Sequence, residues 1–253
     1  MYMQKLRSIA LPGATTIGST VHRTMAWALL ALAVIAAPIA RAADTILEFS
    51  TTAGTFDIEL FDTVAPLTVT NFMDYVKSGS FVESLFHRSA VNGDGTPFVI
   101  QGGAYTITGS QINAIQTKAP VKNEYLLPNI RGTIAMAKQG GDPNSATSQY
   151  FINTSDNSTT LNQNNNGGFT VFGQVLGAGM SVVDTISHYP RYDASAQLGP
   201  AFNEIPLYPT GALTKSNLVL VHSITVVPEP STLLLGFAAG ALMLGRRRAS
   251  GRR

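Results

Sequence analysis

From Thr45 onward, apolar and polar residues alternate with a period of two. Phe56, Ile58 and Leu60 fall on one side of the alternation and Thr55, Asp57 and Glu59 on the other, as in a strand with one buried face. The Ala53-Gly54 pair ahead of them supplies a turn, so this opening stretch reads as a hairpin. The period then changes. Val69, Phe72, Met73 and Val76 recur at helical spacing, with Asp62 or Thr63 as the cap, Pro66 in the first turn and Gly79 as the stop. Short strand-like runs follow at Phe98 to Gln101, Thr133 to Ala137, Tyr150 to Asn153 and Val171 to Val175, divided by Gly, Asn and Pro turns. A second helix is predicted over Met180 to Ser187, with Val183 and Ile186 facing inward. The stretch from His188 to Asn217 has no clear period and reads as a long surface loop, ahead of a closing strand from Leu218 to Val226. Many short strands with two short helices predict a mainly β chain whose antiparallel sheet closes into a barrel, since closure removes exposed edges.

Two apolar runs at the ends break this pattern. The first spans Met25 to Ala40, behind a basic stretch holding Lys5, Arg7 and Arg23 and no acidic residue, and it exits through Ala40-Arg41-Ala42. These are the parts of a secretory signal peptide over residues 1 to 42, cleaved after Ala42. The run is short for a spanning helix, which needs about 20 residues; an uncleaved anchor is the alternative. The basic region is long enough to place the true start downstream of Met1. The second run covers about Thr232 to Gly245, between Val227-Pro228-Glu229-Pro230 and Arg246-Arg247-Arg248.

Composition narrows the chemistry. Low charge (13%), 23 glycines and 13 prolines in 253 residues suit a turn-rich β protein. The net charge of +2 misleads, because the basic residues sit mainly at the ends. Residues 43 to 228 hold 8 Lys+Arg against 14 Asp+Glu, so this body is acidic and nucleic acid is not expected as a partner. Zero cysteines exclude disulfides, thiolate metal sites and cysteine nucleophiles. Four dispersed histidines have no metal spacing, and no serine lies in a Gly-x-Ser-x-Gly setting. The run from Asn162 to Gly168 lacks the carboxylates calcium prefers and reads as a solvated loop.

The remaining candidates lie in two blocks. Phe86-His87-Arg88 leads on to Phe98-Val99-Ile100-Gln101-Gly102-Gly103; Ala135-Met136-Ala137-Lys138 precedes Ser148-Gln149-Tyr150-Phe151-Ile152. On neighbouring strands these would form a small apolar pocket with one unpaired arginine at its edge, suited to binding a neutral group and polarising it. Together with Val171-Phe172-Gly173, the blocks closely resemble the cyclophilin family of peptidyl-prolyl isomerases in its bacterial form, over residues 44 to 226.

The resemblance implies a closed eight-stranded antiparallel barrel with an α-helix over each open end, occupying residues 43 to 226. It implies that Arg88 is the catalytic residue and that Gln101 orients it and hydrogen-bonds the substrate backbone. Phe98, Val99, Phe151, Leu161 and Phe169 would line the proline pocket, with Phe151 as its floor, and Ala137, Lys138 and Gln149 would form the groove for preceding residues. No metal or cofactor is called for, and the expected partners are proline-containing polypeptides, bound by a monomer. Several positions depart from the usual pattern. Val99 stands where methionine is usual, Lys138 where asparagine is usual, Phe169 where histidine is usual and Thr160 where tryptophan or phenylalanine is usual. Weaker binding or altered cyclosporin sensitivity is expected from Thr160, and the extra residues Asn92 to Gly95 unsettle the local match. His87, with no carboxylate partner in view, reads as structural rather than as a general acid or base.

The tail, residues 227 to 253, resembles the PEP-CTERM sorting signal of Gram-negative bacteria. That resemblance implies processing by an exosortase, after signal peptidase has acted at the other end, with transient membrane contact through both termini. The mature chain would span about 43 to 228 and reside in the periplasm, on the outer surface or in the extracellular matrix. A plain membrane anchor is the other reading of the tail. Two functions are carried forward: an exported isomerase, and a surface-displayed module that binds proline segments with little or no turnover.

Overall fold

The structure is a computed structural model that describes residues 44 to 208 and 213 to 228. The predicted signal peptide and the tail from Glu229 lie outside the described residues. The chain opens with strands β1 (Ile46–Thr51) and β2 (Gly54–Leu60), paired as the predicted hairpin. Helix α1 (Pro66–Lys77) follows, then β3 (Ser84–Leu85), β4 (Arg88–Val91), β5 (Pro97–Gly102), β6 (Tyr105–Thr108) and β7 (Gln111–Ala114). Next come β8 (Thr133–Met136), β9 (Tyr150–Asn153), β10 (Val171–Val175) and helix α2 (Met180–His188). The last described elements are β11 (Arg191–Tyr192), the short helix α3 (Ser195–Leu198), β12 (Ile205–Pro206) and β13 (Leu220–Val226).

Among the described residues, eleven strands form one curled antiparallel sheet in the order β4-β5-β9-β8-β10-β2-β1-β13-β3-β6-β7. The expectation of eight strands in a closed ring is corrected here: the ladder has two ends, β4 and β7. The count rises because the stretch from Ser84 to Val91 is split in two and the β6–β7 hairpin extends the sheet past β3. Only Phe86 and His87 separate β3 from β4, although the two lie far apart in the ladder. The Phe86 N–H donates to Val219 O (3.0 Å) and the His87 N–H to Gln101 O (3.1 Å), so this short link forces the sheet to curl.

The concave side of the sheet is filled by aromatics. Tyr150, fully buried, meets Phe72, Phe81 and Phe49 edge-on at centroid distances of 5.5, 5.6 and 6.0 Å. Phe56, Ile58 and Leu60 of β2 are buried in this core, as their alternation predicts. Each such side chain contributes roughly 1.5–3 kcal/mol through burial. Gly103 is required for the packing of Tyr150. Its φ is +77°, and a Cβ there would lie 2.5 Å from Ser148 O and 2.9 Å from the Tyr150 ring.

Helix α1 begins at Pro66, two to three residues later than a cap at Asp62 or Thr63 would place it, and Ala65 stands at its N-cap. Asp62 is used elsewhere, accepting the Thr45 N–H at 2.7 Å. The carboxylate of Glu124 serves the helix start instead, accepting from Leu67 N (3.2 Å), Thr68 N (2.8 Å) and Thr68 Oγ1 (2.8 Å). A carboxylate suits the positive end of the helix dipole.

The stretch after α2 is not a featureless surface loop. β11 pairs with β12, and Ala194, Phe202, Ile205 and Leu207 are buried together against Leu85, Ile107, Leu218 and Leu220. This second apolar cluster packs the segment from Arg191 to Leu207 against β3, β6 and the start of β13.

Candidate active site

Strand register assembles the site. Arg88 lies opposite Gln101, Gln101 opposite Phe151, Phe151 opposite Ala135, and Ala135 opposite Val171. Paired residues project to the same face, so this row crosses five strands on one side of the sheet. The alternate residues Ile100, Ile152 and Ile134 point into the aromatic core. The sheet therefore buries both faces: one makes the core, while the other supports a smaller apolar cluster of Ala90, Val99, Ala135, Phe151, Leu161 and Val171.

Over this second cluster opens a cavity of about 310 Å³, at the lower end of the roughly 300–1,000 Å³ of small-ligand sites. Its apolar lining comprises Phe98, Val99, Ala137, Phe151, Leu161 and Phe169, and its polar lining Arg88, Gln101 and Lys138. Nine of the ten residues singled out in the sequence thus meet at one cavity. The tenth, Gln149, stands behind it, accepting the Gln101 Nε2–H at 2.9 Å and fixing that carboxamide. Phe151 and Phe169 pack edge-on at 5.9 Å, forming floor and side wall. Thr160 is exposed and contributes nothing to the lining. Asn92 to Thr96 form a hairpin turn between β4 and β5, closed by the Asn92 N–H to Thr96 O bond at 2.8 Å.

Two findings differ from the sequence expectations. Arg88 is not unpaired: its Nε donates to Glu204 Oε2 at 3.0 Å. Among the described residues, Gln101 and Arg88 sit side by side without a hydrogen bond between them, each held by another partner. Lys138 turns its ammonium to the neighbouring loop. Nζ donates to Asn166 O (2.6 Å) and to Gly168 O, sits 3.5 Å from Pro143 O, and lies 4.9 Å from the Phe169 ring centroid. Its stem lines the cavity while its charge holds the asparagine-rich loop and the Phe169 wall. Desolvation lowers the Lys138 pKa from its ordinary value.

His87 faces away from the cavity. It is buried edge-on against Tyr105 (5.3 Å) and Phe202 (6.2 Å), and Nδ1 has no hydrogen-bond partner among the described residues. Burial, with the adjacent Arg88 charge, pushes its pKa down to about 4, so the imidazole is neutral at ordinary pH.

A buried amide network went unseen in the sequence. Asn153 Nδ2 donates to Asn129 Oδ1 (3.1 Å) and Thr133 Oγ1 (2.9 Å), and Asn157 Nδ2 to Asn153 Oδ1 and Phe98 O (both 2.8 Å). Asn129 Nδ2 donates in turn to Phe169 O at 3.0 Å. The network ties Phe98 and Phe169, two separate parts of the cavity wall, to one rigid set of bonds. Buried amides persist only when hydrogen-bonded, but the partners that satisfy these become visible only once the strands are side by side.

The chemistry available is limited and specific. Among the described residues, the cavity offers apolar walls, one permanent guanidinium and one oriented carboxamide, with no side chain placed as a nucleophile. Its residues would accept a compact apolar group and donate hydrogen bonds to an adjacent polar atom.

Comparison with known proteins gives consistent matches. The family model described as "Cyclophilin type peptidyl-prolyl cis-trans isomerase/CLD" matches residues 46 to 201. A peptidyl-prolyl cis-trans isomerase of Acinetobacter baylyi is 41% identical over 150 residues, covering 58% of this chain and 74% of the relative. Peptidyl-prolyl cis-trans isomerase B of Escherichia coli is 43% identical over 147 residues, covering 56% and 83%. Among solved structures, a cyclophilin type peptidyl-prolyl cis-trans isomerase of Cryptosporidium parvum aligns with a TM-score of 0.52 at 23% identity, over 74% of this chain and 99% of that one. The same protein solved in the presence of the dipeptide Ala-Pro aligns with a TM-score of 0.52 at 22% identity, over 73% and 99%. At such identity these last two matches concern the fold alone.

Proposed function

The chain belongs to the cyclophilin-type peptidyl-prolyl cis-trans isomerase family, and we propose that it catalyses rotation about Xaa-Pro bonds in proline-containing polypeptides through Arg88. The observation that carries this reading is a permanent cation and an oriented carboxamide set beside an apolar cavity over one row of the sheet. Amide resonance sets a barrier of about 18–20 kcal/mol to the rotation. As the bond twists, the imide nitrogen loses conjugation and regains a lone pair. A donor aimed at that nitrogen is worth more in the transition state than in either planar ground state, which lowers the barrier.

In this mechanism the proline ring rests on Phe151 between Val99, Leu161 and Phe169. Burying its apolar surface contributes roughly 25 cal/mol per Å². Among the described residues, Arg88 keeps the N–H groups of its two terminal nitrogens unengaged, since Glu204 takes only Nε. One of these donates to the imide nitrogen, while Gln101, steadied by Gln149, binds the substrate backbone. Ala137 and the stem of Lys138 border the groove for the preceding residues. No proton is transferred, so neither an acid-base pair nor a cofactor is called for.

The engagement of Arg88 by Glu204 favours a second reading, a proline-segment binding module with little turnover, because the carboxylate weakens the positive field at the cavity edge. Exchange spectroscopy on a short Xaa-Pro peptide separates the two. An isomerase accelerates cis-trans exchange at catalytic concentration, whereas a binder gives saturable shifts with unchanged exchange.

The protein also acts outside the cytoplasm on this proposal. The basic-apolar-small pattern of residues 1 to 42 and the Pro-Glu-Pro, apolar and arginine parts of the tail support export and sorting by signal peptidase and an exosortase. The mass of the mature protein from a Gram-negative host tests this, with ends expected after Ala42 and near Pro228.

A further inference from the structure

We propose that Glu204 is a positioning residue for Arg88, held in place by the folded segment after α2; the inference rests on Arg88 acting as described above. Glu204 lies beyond residues 46 to 201, the stretch that the family model matches. Its carboxylate is not on a free surface arm. The Glu204 carbonyl accepts the Ser89 N–H at 2.7 Å, directly beside Arg88. Ile205 is fully buried, Phe202 nearly so, and β12 pairs with β11 through Arg191–Pro206 and Tyr192–Ile205. Phe202 also packs on Tyr105 at 4.5 Å and on His87, the residue preceding Arg88. Backbone and core thus fix the point from which the carboxylate reaches Arg88.

The geometry of guanidinium makes that contact directive. The group is planar, so a hydrogen bond at Nε sets the plane and with it the direction of both terminal nitrogens. Among the described residues, no other hydrogen bond restrains the guanidinium. An arginine otherwise carries about 2 kcal/mol of rotamer entropy, and an unanchored one spreads its donors over several directions. The carboxylate contributes in the opposite sense as well, since its negative charge offsets part of the field at the cavity. Orientation requires an acceptor, whereas damping requires a charge, and Glu204→Gln removes the second while leaving an oxygen for the first.

The test uses the full chain with Glu204→Ala and Glu204→Gln, reading isomerisation kinetics, thermal unfolding and the Arg88 side-chain Nε–H NMR signal. Positioning predicts a loss of about 5-fold in kcat/KM for Glu204→Ala, or about 1 kcal/mol at 1.36 kcal/mol per factor of ten, the upper end for a partly exposed ion pair. The loss falls on kcat rather than KM, with the melting temperature lowered by no more than about 2–4 °C. Glu204→Gln recovers most of it. The Arg88 Nε–H, slow to exchange in the parent, becomes fast in the alanine variant and stays protected in the glutamine variant. An alanine variant with parental kcat and a protected Nε–H would overturn the proposal, as would a rate above the parent in both variants, which would make damping the dominant effect. If the parent itself gives no acceleration, the isomerase reading fails. The Nε–H signal still decides whether Glu204 holds Arg88, by its loss or persistence in the alanine variant.

Discussion

Replacing Lys138 by methionine separates two roles for a residue at the cavity. The methionine keeps an unbranched stem of similar reach against the lining and removes the ammonium. Asn166 O and Gly168 O then lose this donor, although Gly168 O keeps the Asn123 Nδ2 bond at 3.2 Å, and Phe169 loses the cation 4.9 Å from its ring centroid. A hydrogen bond from a charged donor is worth roughly 1.5–3 kcal/mol when shielded. Here Asn166 is only half-buried and Gly168 O keeps its bond from Asn123, so about 0.5–1 kcal/mol each is the better figure, and the ring contact adds about 0.5 kcal/mol. The expected loss is about 1.5–2.5 kcal/mol, a fall of roughly 3–10 °C in melting temperature at 2–4 °C per kcal/mol for a domain of this size. With the loop loosened, the Phe169 wall no longer sits in place, and KM for a proline tetrapeptide rises severalfold. Arg88 and Gln101 stand on β4 and β5, away from that loop, so kcat is retained. Thermal unfolding and steady-state kinetics read both quantities. A variant with unchanged melting temperature and KM would refute the anchoring role. A fall in kcat at constant KM would instead place the ammonium on the transition state.

The other predictions concern the scaffold and pH. Glu124→Ala removes three hydrogen bonds from the start of α1 and leaves the N–H of the fully buried Thr68 without an acceptor. Urea denaturation should show a loss of about 2–3 kcal/mol, with Glu124→Gln about halfway, and a loss below 0.5 kcal/mol would contradict the capping role. His87 titrates near 6.5 when unfolded and at about 4 when folded, so the unfolded chain alone binds its proton between those values. Its contribution is intact above pH 6.5 and is lost as pH falls to 4, at up to 1.36 kcal/mol per unit and about 3 kcal/mol in all. Stability measured against His87→Phe should diverge accordingly below pH 6.5; parallel profiles would refute this. Catalysis should be flat from pH 6 to 9, because arginine does not titrate there and His87 stays neutral.

Local periodicity made much of this fold legible. Tyr150 to Asn153 and Val171 to Val175 match the predicted elements to the residue, because each signal lies within its own segment. The cavity residues were legible as a set through their order along the chain, not through any one of them. What escaped notice depends on distant partners. Glu124 caps a helix 56 to 57 residues away, and Glu204 meets Arg88 across 116 residues. The segment from Arg191 to Leu207 looked like a loop because Ala194, Phe202, Ile205 and Leu207 follow no period, yet burial against the outer edge of the sheet organises them. The anchoring of the Lys138 ammonium has no sequence signature for a related reason: the carbonyls that hold it belong to a loop whose path only the folded chain reveals. The strand count rested on the family resemblance, and the break at Phe86-His87 has no local signature.

The most direct test of the account is the isomerisation rate of a proline tetrapeptide with the parent chain and with Arg88→Ala, each verified as folded by its melting transition. The account predicts clear acceleration by the parent and a loss of about 10²- to 10³-fold in the variant, the usual effect of removing one oriented transition-state donor. Undiminished acceleration by a folded Arg88→Ala variant would contradict it, and the twisted bond would then have to be stabilised by the cavity without its cation.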